Sequence, residues 1–219
     1  MAASSLKARN SRPAIVIGFG RLGQSAVKRL FSLGFGRLTV VDNHPSAMAG
    51  LSDEVVKVQG SGPTWLAGQS LGQSWIIPAL PVHLAAYWLK EALRLKGRAA
   101  AWEPVDQPAF ASLPHLSQTK DRGLLASWAD FLCPDDCEEK GPCPRLGVSL
   151  EPLYLRLRAL AQNQPLGVVR SYQLAPGLGG YPARSLRKLL EFALARREGE
   201  LMVATACRCH AVIHSLKVI

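Results

Sequence analysis

All five cysteines of this 219-residue chain fall in two short stretches, Cys133-x3-Cys137-x5-Cys143 and Cys207-Arg208-Cys209-His210. Inert core cysteines scatter along a chain, and an odd count leaves one thiol over in any complete disulfide pairing. The bunching therefore predicts one inorganic centre closed by both stretches. Three thiolates from the first and one from the second would complete the shell of a [4Fe–4S] cluster, and the same atoms with His210 as a nitrogen ligand would satisfy tetrahedral zinc. Spacing leaves both open. The prolines after Cys133 and Cys143, and the irregular intervals, fit a cluster loop better than paired zinc knuckles. Cys-Arg-Cys-His is one residue short of the haem-attachment pattern C-x-x-C-H, which argues against covalent haem. Cys209 is the candidate for a spare, reactive thiol.

A second pattern lies near the start of the chain, where Gly18-Phe19-Gly20-Arg21-Leu22-Gly23 reads G-x-G-x-x-G. Alone that pattern is weak, but here it follows an apolar β-rich run, opens an amphipathic helix, and precedes a second strand ending in Asp42, nineteen residues after Gly23. Each glycine has a mechanical role. Gly18 permits a tight turn, Gly20 lets the backbone approach a pyrophosphate, and Gly23 lets helix and strand pack closely. The phosphates would lie on free N–H groups at the helix N-terminus, where the dipole favours negative charge. Asp42, with Asn43 beside it, can accept hydrogen bonds from ribose hydroxyls and would repel a 2′-phosphate. The expected cofactor is therefore NAD(H) rather than NADP(H), and cytosolic dinucleotide chemistry disfavours disulfides.

These groups must be carried by elements that the apolar periodicity reveals. Residues 14–17, 38–41, 55–58 and 74–77 read as strands, and 21–33 and 82–95 as helices. This alternation predicts an α/β fold, a Rossmann-like parallel sheet with helices on both faces. Residues 99–146 carry six prolines among weak periodicity and read as an irregular Cys-rich connection. Order returns with a helix over 151–161, a strand over 168–174, a Gly-rich turn over 176–182, a helix over 183–197, a strand over 200–206 and a short final helix from about His210. The expected organisation is a flexible terminus 1–12, a dinucleotide-binding unit 13–104, a Cys-rich connection 105–150 and a C-terminal α/β segment 151–219.

Residues 15–45, with Gly-Phe-Gly-Arg-Leu-Gly and Val-Val-Asp-Asn-His-Pro, resemble the nucleotide-binding domain of potassium-transport regulators of the TrkA-N or RCK type. The similarity continues to residues 53–60, and where that family places a Gly-Asp pair this chain has Gly60-Ser61. It covers about the first quarter of the chain. The resemblance implies NAD binding and a regulatory role toward a transporter partner.

On one sheet, the Gly18 loop, the loop after the fourth strand, the Gly-rich turn and Cys207 would share an edge. His83, just past the fourth strand, is the candidate general acid or base beside a nicotinamide ring, because imidazole titrates near neutral pH. His214 reads as a core or surface histidine. The formal charge of +10 comes from basic residues scattered over helix faces, without a reading motif for nucleic acid. No transmembrane segment or secretory leader is expected, which places the chain in the cytoplasm, and a homo-oligomer is compatible with the sequence. Three functions stay open: a redox or redox-sensing protein with NAD(H) and a cysteine-bound centre, a nucleotide-binding regulator with structural zinc, and a dehydrogenase using His83. The first implies a protein electron-transfer partner, the second a transporter.

Overall fold

The computed structural model of the protein describes residues 13–134, 136–139, 141–196 and 198–219. The terminal segment 1–12, and Asp135 of the expected Pro134-Asp135-Asp136 turn, lie outside the described residues. The architecture is α/β, as expected, but it is built on two mixed six-stranded sheets rather than one.

The first sheet grows from β1 (Ala14–Ile17), whose four residues are all buried, as a strand covered on both faces must be. Parallel to it lie β2 (Leu38–Asp42) and β4 (Trp75–Pro78), with β3 (Val55–Gln59) parallel to β2 on the outside. Helix α1 (Arg21–Ser32) covers one face with Ala26, Val27 and Leu30 against Val16, Val40 and Ile77. On the other face lie α2 (Gly62–Ala67) and α3 (Leu84–Leu95), the latter burying Leu84, Ala85, Trp88, Leu89, Ala92 and Leu93.

Beyond α3 the chain starts the second sheet. The segment expected to be irregular contributes β5 (Ala100–Glu103), β6 (Ser117–Gln118) and β7 (Leu124–Ser127), short pieces between the prolines. Helix α4 (Leu153–Leu160) follows and covers the outer face of that sheet. The run expected as one strand over 168–174 divides at Ser171. Its first part, β8 (Leu166–Arg170), belongs to the second sheet, and its second, β9 (Tyr172–Ala175), returns to the first. The expected Gly-rich turn is mostly strand β10 (Leu178–Pro182), antiparallel to β4. A Cβ on Gly180 would stand 2.8 Å from the Ile76 carbonyl oxygen, so glycine there reflects close strand approach.

Helix α5 (Ala183–Leu194) then packs between the sheets, and β11 (Gly199–Ala206) and β12 (His210–Val218) form the long central hairpin of the second. The expected final helix is therefore a strand. His214, Leu216 and Val218 lie on the α3 side, while Ala211 and Ile213 lie on the α4 side, and burial on both faces erases the alternation that identifies a one-sided strand. Two consequences concern the site. The first sheet draws β9 and β10 from beyond residue 170, and Cys207 follows a strand of the second sheet, not the first. Among the described residues no helix is long and apolar enough to cross a membrane.

Candidate functional site

At the carboxyl end of β1 the chain turns at Gly18, whose φ is +97°, a conformation that favours glycine. A Cβ there would approach the Ala79 carbonyl oxygen to 2.6 Å, and one on Gly23 would reach 2.1 Å from the Gly18 carbonyl oxygen. Gly20 differs, because a Cβ on it meets nothing within 4 Å. Two glycines thus serve the packing of helix on strand, and the third faces open space. Gly20 is the extended N-cap of α1 and gives the helix no side-chain cap. Leu22 is 58% exposed beside it.

Asp42 closes this loop from β2. One carboxylate oxygen accepts the Phe19 N–H at 2.6 Å and the other the His44 N–H at 2.8 Å. Burial would raise its pKa, but those two N–H groups and the His44 imidazole hold it below the ordinary carboxylate value. A carboxylate has about four lone-pair sites, so two backbone donors leave room for a ligand hydroxyl. Asn43 next to it is exposed.

Alongside α1 lies a cavity of about 410 Å³ that Arg21, Leu22, Arg29, Pro78, Pro134 and Gly177 help to line. Pro134 and Gly177 also line a second, smaller cavity of about 190 Å³, whose other walls include Cys133, Cys137, Cys143, Cys209 and His210. The first cysteine stretch is held there by β9. The Gln173 side chain accepts the Glu139 N–H at 2.7 Å and donates to the Cys137 carbonyl at 2.6 Å. The second stretch is the turn of the β11–β12 hairpin, fixed by Cys207 N–H to the His210 carbonyl at 3.0 Å and by Trp128 N–H to the Cys209 carbonyl at 3.0 Å.

In that turn Cys207 Sγ receives the N–H groups of Cys209 at 3.4 Å and His210 at 3.3 Å. Two backbone donors on one sulfur favour the thiolate that a metal requires. The His210 ring joins the two stretches, with Nε2 3.6 Å from Cys133 Sγ and Nδ1 3.8 Å from Cys207 Sγ. Glu139, which the sequence reading did not single out, accepts the Arg208 N–H at 3.3 Å and faces the same thiols. Its sequence signal was the acidic run between the cysteines.

All five cysteines are free. Burial raises the pKa of Cys133 and Cys137, and their neighbouring thiols add to it. Burial and then Glu139 raise Cys207, and the same causes push Cys209 up to about 11. Burial thus disfavours the thiolate at these four cysteines, and a cation, where bound, inverts such a preference. Among the described residues no three His, Cys, Asp or Glu side chains are arranged to hold a metal ion as they stand. The two stretches therefore share a cavity, with Cys207 set behind His210, without closing on a common point.

His83 stands elsewhere. It begins α3, is buried, and contacts His214 Nδ1 through its own Nδ1 at 3.1 Å and Thr205 Oγ1 through Nε2 at 2.9 Å. Burial, followed by the neighbouring His214, lowers its pKa to about 3. His83 lines a third cavity, and His214, taken as an ordinary core histidine, is its partner. Thr205, Asp121 and Tyr87 had no spacing signal, since they meet His83 and His214 only through the packing of the second sheet on α3.

This geometry defines an α/β protein with a glycine loop at a strand's carboxyl end and a thiol-lined cavity next to it. The chain belongs to the family described as "Uncharacterized protein, C-terminal domain", whose model matches residues 85–219. That span includes both cysteine stretches and excludes the glycine loop. An uncharacterized protein of Archaeoglobus fulgidus is 28% identical over 219 residues, covering 93% of this chain and 98% of that protein. No solved structure matches the chain.

Proposed function

We propose that the chain binds NAD(H) on the Gly18–Gly23 loop and holds a thiolate-ligated zinc ion or [4Fe–4S] cluster in the adjoining cavity, acting in redox chemistry or redox sensing. The observation that carries this reading is the pair of residues, Pro134 and Gly177, common to the walls of both cavities. The strand order β3-β2-β1-β4 places a topological switch between β1 and β4, where α/β sheets bind ligands beyond their carboxyl ends. A full dinucleotide fold would continue past β4 with parallel strands. Here β10, antiparallel to β4, and β9, antiparallel to β10, take that edge and bring the cysteine loop with them.

The donor chemistry fits such a centre. Cys133, Cys137, Cys143 and Cys209 line the cavity, His210 adds a nitrogen, and Cys207 carries two N–H bonds on its sulfur. These residues would hold the group, and Glu139 with Gln173 would fix the loop that presents them. An iron–sulfur cluster supplies one-electron transfer, whereas zinc supplies a closed structural cross-link or a Lewis acid. Leu22 and Pro78 would keep water from the space between nucleotide and thiols, and Asp42 would orient the ribose. Five free thiols suit a reducing compartment such as the cytoplasm.

A second reading rests on His210, whose imidazole lies between two sulfurs, a mixed donor set that suits zinc. There the chain would be a regulator resembling the potassium-transport type, with zinc as a staple and nucleotide occupancy read by a transporter partner. Equilibrium titration with NADH and NADPH tests what both readings share. NADH should bind at least about tenfold more tightly, because Asp42 opposes a 2′-phosphate. Failure of both dinucleotides to bind would overturn the proposal.

A further inference from the structure

Arg170 ends β8 where the chain leaves the second sheet for the first, with Ser171 alone between it and β9. Each of these strands is the edge of its own sheet, so the junction stands at the seam between two sheet edges. Ser171 N–H donates to the Ala206 carbonyl at 2.8 Å, which fixes the crossing. There the Arg170 guanidinium carbon lies 4.0 Å from the ring centre of Tyr154, on α4, and 4.3 Å from that of Tyr172, on β9. Both tyrosines are themselves held. Tyr154 N–H bonds the Cys207 carbonyl at 3.3 Å, and Trp75 meets Tyr172 nearly at a right angle with ring centres 6.0 Å apart. Arg158, one turn along α4, lies 5.7 Å from the Tyr154 ring.

Other arginines find acceptors within the chain. Arg94 pairs with Glu91 and Arg156 with Glu151, while Arg98 donates to the Arg196 carbonyl and Arg187 to the Gly72 carbonyl. Arg170 does not. Ring faces attract its charge across the guanidinium plane, but its N–H donors lie in that plane, where the rings do not accept them. Nε is buried without an acceptor, and among the described residues no carboxylate or carbonyl meets the two terminal nitrogens. Those nitrogens are not buried and carry the partial exposure that Arg170 keeps. The outer edge of a held guanidinium thus faces solvent with its paired N–H groups unmet, a geometry that takes two oxygens of one anion. An apolar side chain would have filled the space between two tyrosines without leaving an unpaired charge there.

From this arrangement we infer that the outer edge of Arg170 is a binding site for the phosphate group of a small molecule, the fork holding two oxygens and Arg158 adding a second positive charge. The second charge favours a dianion over a carboxylate, in a chain whose formal charge is +10. Both rings are already engaged by arginine or tryptophan, which leaves no free platform for the stacked bases of a single-stranded nucleic acid. None of these residues lines the glycine-loop cavity or the cysteine cavity, so the inference survives or fails apart from the function proposed above.

The probe is inorganic phosphate, added at constant ionic strength to the full chain labelled with ¹⁵N at arginine. Burial protects the Arg170 Nε–H from exchange, so its cross-peak reports on the site and is assigned by its loss in Arg170→Lys. Phosphate should shift that peak saturably, acetate should bind at least about tenfold more weakly, and chloride should leave the peak in place. By ³¹P line broadening, Arg170→Lys should lose about tenfold in phosphate affinity, because lysine keeps the charge and lacks the fork. Arg158→Ala, on an exposed helix position, should weaken phosphate more than acetate and keeps the test open if Arg170→Lys does not fold. Glycerol phosphate binding more tightly than inorganic phosphate would assign an ester as the source, the reverse free phosphate, and both orders support the site. A peak indifferent to phosphate, equal shifts with chloride or acetate, or a folded Arg170→Lys protein with wild-type affinity would overturn the inference.

Discussion

The cysteine cavity and the His83–His214 pair are both polar clusters inside an apolar fold, yet they are stabilised in opposite ways. The histidines stand on a helix start and a central strand, and each has partners supplied by the chain. The thiols stand on a loop and a hairpin turn, are half-buried, and face one another and Glu139. One cluster is complete as folded and resists added charge. The other consists of thiols that face one another and a carboxylate, and on the proposed reading a cation would satisfy them. Burial alone therefore does not reveal a site's purpose; what matters is whether the buried groups satisfy each other.

The largest effect should come from forcing charge onto the complete cluster. His83 is lowered from 6.5 to about 3 in the folded chain, so the unfolded chain binds the extra proton first as pH falls. Stability is full above about pH 6.5 and is lost progressively down to about 3, by on the order of 5 kcal/mol over the whole span. Urea unfolding at pH 7, 5 and 4 measures this slope, and His83→Gln should remove most of it. Asp42 and Asp121, whose pKa values are lowered, lose their contribution as pH falls below their unfolded value of 3.8, so above about pH 4 the slope belongs mainly to the histidines.

The thiol cluster should respond instead to removal of the proposed cation. Stripping the centre with a chelator under reducing conditions should lower the melting temperature by about 10 °C, from about 3 kcal/mol of lost binding linkage. A protein whose melting is indifferent to the chelator would make the thiols ordinary loop residues.

The glycine loop sharpens the comparison, because it separates packing from binding. Gly23→Ala places a methyl group against the Gly18 carbonyl and should cost about 2 kcal/mol of stability. Gly20→Ala meets open space, so melting should barely change while NADH affinity falls about tenfold, since the new methyl occupies the ligand's approach. The smallest effect should be that of Gln173→Ala. Loss of its two bonds to the cysteine loop should cost about 1 kcal/mol and be seen as faster metal release to a chelator.

The glycine loop, strands β1 to β4 and β11, and helices α1, α3, α4 and α5 were legible because their periodicity is local and their glycines follow strict steric rules. The rest of the second sheet was not. Strand β12 carries apolar residues on both faces, so its sequence shows neither period clearly, and β10 is rich in glycine because β4 lies so close. Both cysteine stretches could be read from spacing, but Glu139 and Gln173 act through contacts only the fold creates. His83 was visible as a residue and not as half of a pair, since His214 lies 131 positions away.

The most direct test counts metal and sulfide per chain in anaerobically prepared wild type, Cys137→Ser and Cys209→Ser. One thiol stretch cannot close the centre without the other, so either zinc at about one per chain, or iron and sulfide in equal amounts, should be present in the wild type and depleted in both variants. Full occupancy surviving the loss of Cys209, or a wild type free of iron and zinc, would contradict a centre shared between the two remote stretches.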